Sequence, residues 1–315
     1  MPDGRRVVTG SWLPEYAAAW QHVRADPAAK EHRTAMVILL AIPMFLLFLA
    51  IEAISYRYRP DDDELGYELR DTGTSLSMGI GSRVWGLLWD VLGLAVFTAI
   101  ALATPLHVEM TSVWAWVVLL FGEDLCYYVF HRVSHRCRFF WASHVIHHSS
   151  QRYNFSTALR QSWTSVFGFV FWIPLVAVGF PVWAVYLQQS ISLLYQFFLH
   201  TERVHTLWRP IEYVMNTPSH HRVHHGVDKQ YLDKNYGGIL IVWDRLFRSF
   251  EPEAERPTYG ITKQLTTYNP FRVGFHEWYA MGHDVRHATR LRDRIGHVLR
   301  PPGWAPSSVP QAVSA

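Results

Sequence analysis

The chain is poor in charge and nearly without cysteine. Charged residues make up 17% of its 315 positions, with a net charge of +3, below the ~25% charged content usual for a soluble domain. No Lys/Arg block is long enough to track a phosphate backbone, so a nucleic-acid partner is excluded. The two cysteines, Cys126 and Cys137, form no CxxC pair and no disulfide framework, which removes thiol redox chemistry and thiolate metal sites. The polar N-terminal stretch, with Arg5, Arg6, Arg24, Lys30 and Arg33, does not read as a cleavable leader.

Apolar runs take the place of charge. Stretches 34–55, 84–103 and 112–130 are each long enough for a helix crossing a ~30 Å hydrocarbon layer. A fourth tract, 163–198, is interrupted at Gly179-Phe180-Pro181 and is expected to be a helical hairpin of two spans. The segment 57–75 is polar and reads as a loop or short surface element. The fold expected is an all-α integral membrane bundle of about four to five spans with a histidine-rich helical cap. Three parts are expected: a polar segment 1–33, a membrane domain 34–250, and an amphipathic, Pro-rich tail 251–315. Lys and Arg are absent from 104–131 and 161–202, so the 104–111 connection and the 179–182 turn belong on the non-cytoplasmic side. The histidine-rich segments, with Arg57, Arg59, Arg70, Arg83, Arg132, Arg136, Arg138, Arg152 and Arg160, then face the cytoplasm. The same rule conflicts with a basic N-terminus outside.

Histidine is abundant, with 18 residues, eleven of them in the windows 131–148 and 200–225. HRVSH places His131 and His135 four apart, stacked on one helix face. HVIHH supplies His144, His147 and His148, and HRVHH repeats the pattern with His221, His224 and His225. Adjacent histidines diverge by ~100° around a helix, so each of the last two boxes can serve two metals. His200, after the hairpin, is a ninth candidate. One structural zinc needs about four ligands, so eight or nine imidazoles point to two metals with positions left for O₂ or water. Imidazole suits iron, zinc or copper, and ligand type alone does not separate them. Asp124 and Tyr128 fall near the first-box stripe, and a carboxylate there is expected to orient an imidazole. Glu123, Asp228, Asp233 and Asn235 are further candidates for that supporting role, and His220 for a supporting donor, although Asn235 with Gly237 and Gly238 also suits a plain turn. Glu202 with His205 forms a lone ExxH, too little for a carboxylate-bridged pair. His283 and His287 suit a solvated helix face, and His22, His32, His107, His276 and His297 have no assigned task.

The stretches LCYYVFHRVSH, HVIHHSSQRYNFSTALRQS, LLYQFFLHTE and NTPSHHRVHHG followed by DKNYGGILIVWDRLF resemble the fatty acid hydroxylase/sterol desaturase superfamily. STALRQS and NTPSHHRVHHG are similar to its ether-lipid-cleaving branch. The resemblance implies two Fe ions, with Zn as an adventitious replacement, held by the eight box histidines and His200. It also implies O₂-dependent oxidation of a membrane lipid at the carbon beside an ether oxygen, with an external reductant, tetrahydrobiopterin in that branch. Asp124, Tyr128 and Asn235 are expected to assist catalysis. Three other readings compete: a sterol or fatty-acyl desaturase using the same centre; a divalent-metal transporter, against which boxes at span ends rather than mid-bilayer argue; and a catalytically silent lipid-binding relative, against which the intact boxes argue.

Overall fold

The computed structural model describes residues 27–61, 64–165 and 167–306. Most of the polar segment 1–33 and the end of the Pro-rich tail lie outside these residues. Within them the fold is all-helical, with only isolated bridges, Met215 to Leu240 and Gly226 to Tyr259.

Three long helices form the membrane part: α1 (Pro27–Tyr58), α2 (Leu69–Ala103) and α3 (Val113–Arg136). Their apolar windows have mean hydropathies of 1.7, 2.0 and 1.5, and only 17%, 11% and 22% of each is buried inside the protein. The remainder faces outward, where hydrocarbon tolerates it and water would not. The chain is an integral membrane protein.

Helix α2 starts well before the apolar run 84–103, inside the segment expected to be a loop. Glu68 caps it by accepting from the backbone N–H groups of Arg70 (3.1 Å) and Asp71 (2.7 Å). At 35 residues the helix is ~52 Å long, so its first turns project beyond the hydrocarbon. There Asp71 is buried against Arg160 (2.6 Å), and Arg160 also donates to Ser75 and to Ser149, just after the second box.

The hairpin is present, but its arms are shorter than spans. Its first arm comprises a 3-10 segment, Gly168–Trp172, and α6 (Ile173–Ala177); the second is α7 (Val182–Phe197), 16 residues. Phe167 in the left-handed region (φ 58°) and Pro174 at the start of α6 break the first arm. Gly179 (φ +98°) makes the turn, and a Cβ there would meet the Leu106 carbonyl at 2.6 Å. Val108 N–H donates to the Gly179 carbonyl (2.9 Å). The connections 104–111 and 179–182 therefore touch at one end of the bundle, opposite the histidines. Between them, Phe97, Leu119, Trp172, Leu175, Val176 and Phe180 fill the core.

The cap is built from α4 (Arg138–His148), α5 (Phe155–Ala158), α8 (Arg209–Val214), α9 (Pro218–His224), α10 (Val242–Leu246), α11 (Pro270–His287) and α12 (Leu291–Leu299). The C-terminal segment folds back on the second box helix, where Arg138 binds Glu277 (2.6 Å) and Asp284 (2.7 Å).

Candidate metal centre

Four elements carry the nine imidazoles to one place. The last turns of α3 hold His131 and His135, and α4 holds the second box. A turn after α7 holds His200, and α9 with its C-cap residue His225 holds the third box. The nitrogens sort into two groups, His131, His135, His144, His148 and His224 in one, and His147, His200, His221 and His225 in the other. Within each group the candidate ligand atoms lie within 4.8 Å of one another. The adjacent pairs 147/148 and 224/225 are each divided between the groups, as ~100° per residue requires.

Backbone carbonyls set which nitrogen faces inward. His131 Nδ1–H donates to the Tyr236 carbonyl (2.9 Å), His200 Nδ1–H to that of Gln196 (2.8 Å) and His224 Nδ1–H to that of Lys234 (2.9 Å). Each Nε2 is then a lone pair. Yet His131 Nε2 lies 3.0 Å from His144 Nε2, and His200 Nε2 lies 3.1 Å from the Nε2 atoms of His147 and His221. Two metal–nitrogen bonds of ~2.1 Å at right angles would place donors ~3.0 Å apart, so this spacing is that of a coordination edge. Nε2 of His135, His224 and His225 is buried without a hydrogen-bond partner, a cost of about 1–3 kcal/mol each unless something pairs with it. Burial pushes His144 down to about 3 and His200 and His224 down to about 4. His147, His148, His221 and His225 are held well below the usual imidazole value by burial and then by neighbouring imidazoles. Neutral, dry, convergent nitrogens fit two divalent cations of the imidazole-binding class.

Most of the expected supporting residues hold loops rather than imidazoles. Asp124 touches no imidazole: its oxygens accept from Ile239 N–H (2.6 Å), Leu240 N–H (3.1 Å) and Trp243 Nε1–H (2.9 Å). It clamps the 236–243 loop to α3, and so supports the Tyr236 carbonyl that orients His131. Gly238 passes so close that a Cβ would lie 2.9 Å from Asp124 Oδ1. Tyr128 is hydrogen-bonded to Ser249 (2.9 Å) and Arg132 (2.8 Å) and stacks on Phe247. Asn235 adopts φ 54° and ties His220 and Glu251 together through its amide, the turn role. Asp233 approaches His135 Nδ1 at 3.9 Å while pairing with Arg136, and Asp228 caps Thr258. Glu123 accepts from Trp172. His220 pairs with Glu212 (2.9 Å) outside both groups, and Glu202 is taken by Arg256 and Tyr259.

Sequence reasoning misses the three backbone carbonyls, because every residue has one. It also misses Asp244, which holds Tyr236 N–H (2.9 Å) and Gly237 N–H (2.7 Å), and Tyr153, stacked on His200. Glu52 did leave a signal, a carboxylate inside the first apolar run. It accepts from Tyr67, Thr201 and Phe155 N–H, fixing the turn beside His200.

Apolar spans topped by clusters of five and four imidazoles define a membrane protein of the histidine-box type. The fatty acid hydroxylase family model matches residues 116–249 of the chain. It is 40% identical over 241 residues to alkylglycerol monooxygenase of Homo sapiens, covering 76% of this chain and 54% of that protein. The Danio rerio alkylglycerol monooxygenase is 38% identical over 269 residues, 84% of this chain and 59% of its own length. Ornithine lipid hydroxylase OlsE of Rhizobium tropici is 27% identical over 142 residues, 44% of this chain and 43% of its own. The chain thus spans little more than half the length of the alkylglycerol monooxygenases it matches. No solved structure matches it.

Proposed function

We propose that the protein is an O₂-dependent lipid monooxygenase of the box-side membrane surface, hydroxylating the carbon beside the ether oxygen of an alkylglycerol-type lipid. The observation that carries this reading is the division of nine buried imidazoles into groups of five and four, in a chain related to alkylglycerol monooxygenases. His131, His135, His144, His148 and His224 are the ligands of one iron, and His147, His200, His221 and His225 those of the other; zinc is an adventitious occupant. Once bound, the iron pair supplies reductive activation of O₂, with electrons from an external donor, tetrahydrobiopterin by the family resemblance.

The chain's own residues keep the site neutral, oriented and dry. The carbonyls of Tyr236, Gln196 and Lys234 hold the Nδ1 protons outward. Tyr153, fully buried, stacks over His200, and Trp141 lies 5.0 Å from His135 and 5.6 Å from His148 between ring centroids. These rings exclude water, which limits side oxidation. The substrate tail stays among the outward apolar faces of the spans while its polar head remains at the interface. Asp124, Tyr128 and Asn235 act through the loops they hold.

Anaerobic purification, metal analysis and turnover of an alkylglycerol with isotope-labelled O₂ test the reading. About two irons per chain and label in the hydroxylated lipid or its immediate aldehyde are expected. A product that cannot exchange oxygen with water and yet carries no label overturns it. A product two hydrogens lighter selects the desaturase outcome instead.

A further inference from the structure

The outer face of α12 has no partner among the described residues. Leu291, Ile295 and Leu299 recur every fourth residue and are 72%, 50% and 59% exposed. At ~100° per residue they form one stripe, bordered on its two sides by Arg292 and Arg294. The opposite face is fixed: Gly296 is buried under Trp304, whose ring lies 2.3 Å from where a Cβ would stand, and His297 packs on the same ring. The helix cannot roll to hide its stripe.

Charge and position identify the occupant. Arg286, Arg290, Arg292, Arg294 and Arg300 are all exposed. Of the neighbouring acids, Asp284 is held by Arg138 (2.7 Å) and Asp293 lies toward the packed side. The last turn of α12 is attached to the foot of the third span: Arg138 N–H donates to the Arg300 carbonyl (3.0 Å), and Cys137 Sγ–H to that of Val298 (3.7 Å). The preceding helix α11 begins against α2, where Thr74 donates to the Tyr268 carbonyl (2.8 Å) and Phe271 packs edge-on against Trp163. Both ends of the α11–α12 pair are therefore held near span ends. An apolar stripe flanked by arginines is the pattern of a helix lying in a lipid interface, with long basic side chains reaching to headgroups. Five like charges oppose a second copy of the same face.

We infer that α12 docks onto the box-side bilayer surface, its Leu291–Ile295–Leu299 stripe in the acyl boundary and its arginines on anionic phosphates. The test uses the full chain in nanodiscs of phosphatidylcholine alone or mixed with phosphatidylglycerol. A nitroxide is placed by Ile295→Cys, and separately by Leu291→Cys, with Cys126→Ser and Cys137→Ser. Collision with O₂ should rise, and with a water-soluble nickel complex should fall, several-fold on adding phosphatidylglycerol, while a Lys263→Cys label stays water-like. Arg286→Gln/Arg290→Gln/Arg292→Gln should return the 295 label to its phosphatidylcholine value. Equal exposure in both disc types, shielding from both reagents, or dipolar broadening between copies overturns the proposal. Metal content and melting temperature of each variant show that it is folded.

Discussion

A buried imidazole serves a metal only if its proton sits on the nitrogen facing away. Here that proton is fixed by carbonyls of Tyr236, Gln196 and Lys234, which is the usual means of orienting such ligands. Because the two groups hold five and four imidazoles, equal deletions should have unequal effects. His200→Ala leaves three nitrogens in its group, and metal analysis should fall from about two ions per chain to about one. His135→Ala leaves four; metal titration should find both ions retained at saturation, with affinity lowered ~10–100-fold, the scale of losing an orienting contact or more. Asp124→Asn tests the clamp one layer out. The asparagine would turn an N–H toward one of three donors now satisfied by the carboxylate, a loss of about 1–3 kcal/mol. Thermal unfolding should show it as a lower melting temperature in the presence of metal, and an unchanged melting temperature would remove Asp124 from the support of this site.

At the scale of elements, the amino-acid pattern identified the boxes and the three long apolar helices but not the packing between them. His131 and His135 on a helix continuing from an apolar run were legible because i, i+4 spacing and hydropathy are local properties. The split of 147/148 and 224/225 was legible for the same reason. The early start of α2 was not, since Asp71 and Ser75 are polar and become buried against Arg160, 85 residues from Ser75 along the chain, and Thr74 against the Tyr268 carbonyl. Nor was the short first arm of the hairpin, which follows from the left-handed backbone of Phe167 and from Pro174. Glycines in α2 record the same non-local packing. A Cβ on Gly81 would stand 2.2 Å from Trp163 Nε1, whose indole donates to the Met78 carbonyl, whereas Gly86 has nothing within 4 Å. Gly81→Ala should therefore destabilise by about 1–3 kcal/mol through overpacking. Gly86→Ala should be neutral or stabilise by up to ~1 kcal/mol through helix propensity. Unfolding of the two variants side by side checks this, and equal behaviour would mean that Trp163 yields freely.

For the whole molecule, the two ends of the bundle differ in what they can tolerate. One end is made of the 104–111 connection and the Gly179 turn, joined by the Val108–Gly179 hydrogen bond and free of Lys and Arg in sequence. The other end carries the imidazoles, the buried Arg160 and Arg222 ion pairs, and the exposed arginines of α12. Positive charge is retained on the cytoplasmic side during insertion, so the box end should face the cytoplasm, where a soluble reductant can reach the cap. Glu109 and Lys229 are exposed at the two ends. In intact cells, Glu109→Cys should react with a membrane-impermeant maleimide, whereas Lys229→Cys should react only after permeabilisation. The reverse pattern would place the cap outside, and electrons would then have to come from a donor on that face. The basic N-terminal residues run against this orientation by the same charge rule. The long, weakly charged spans therefore have to outweigh them, and neutralising Arg5, Arg6 and Arg24 together should leave both labelling results unchanged.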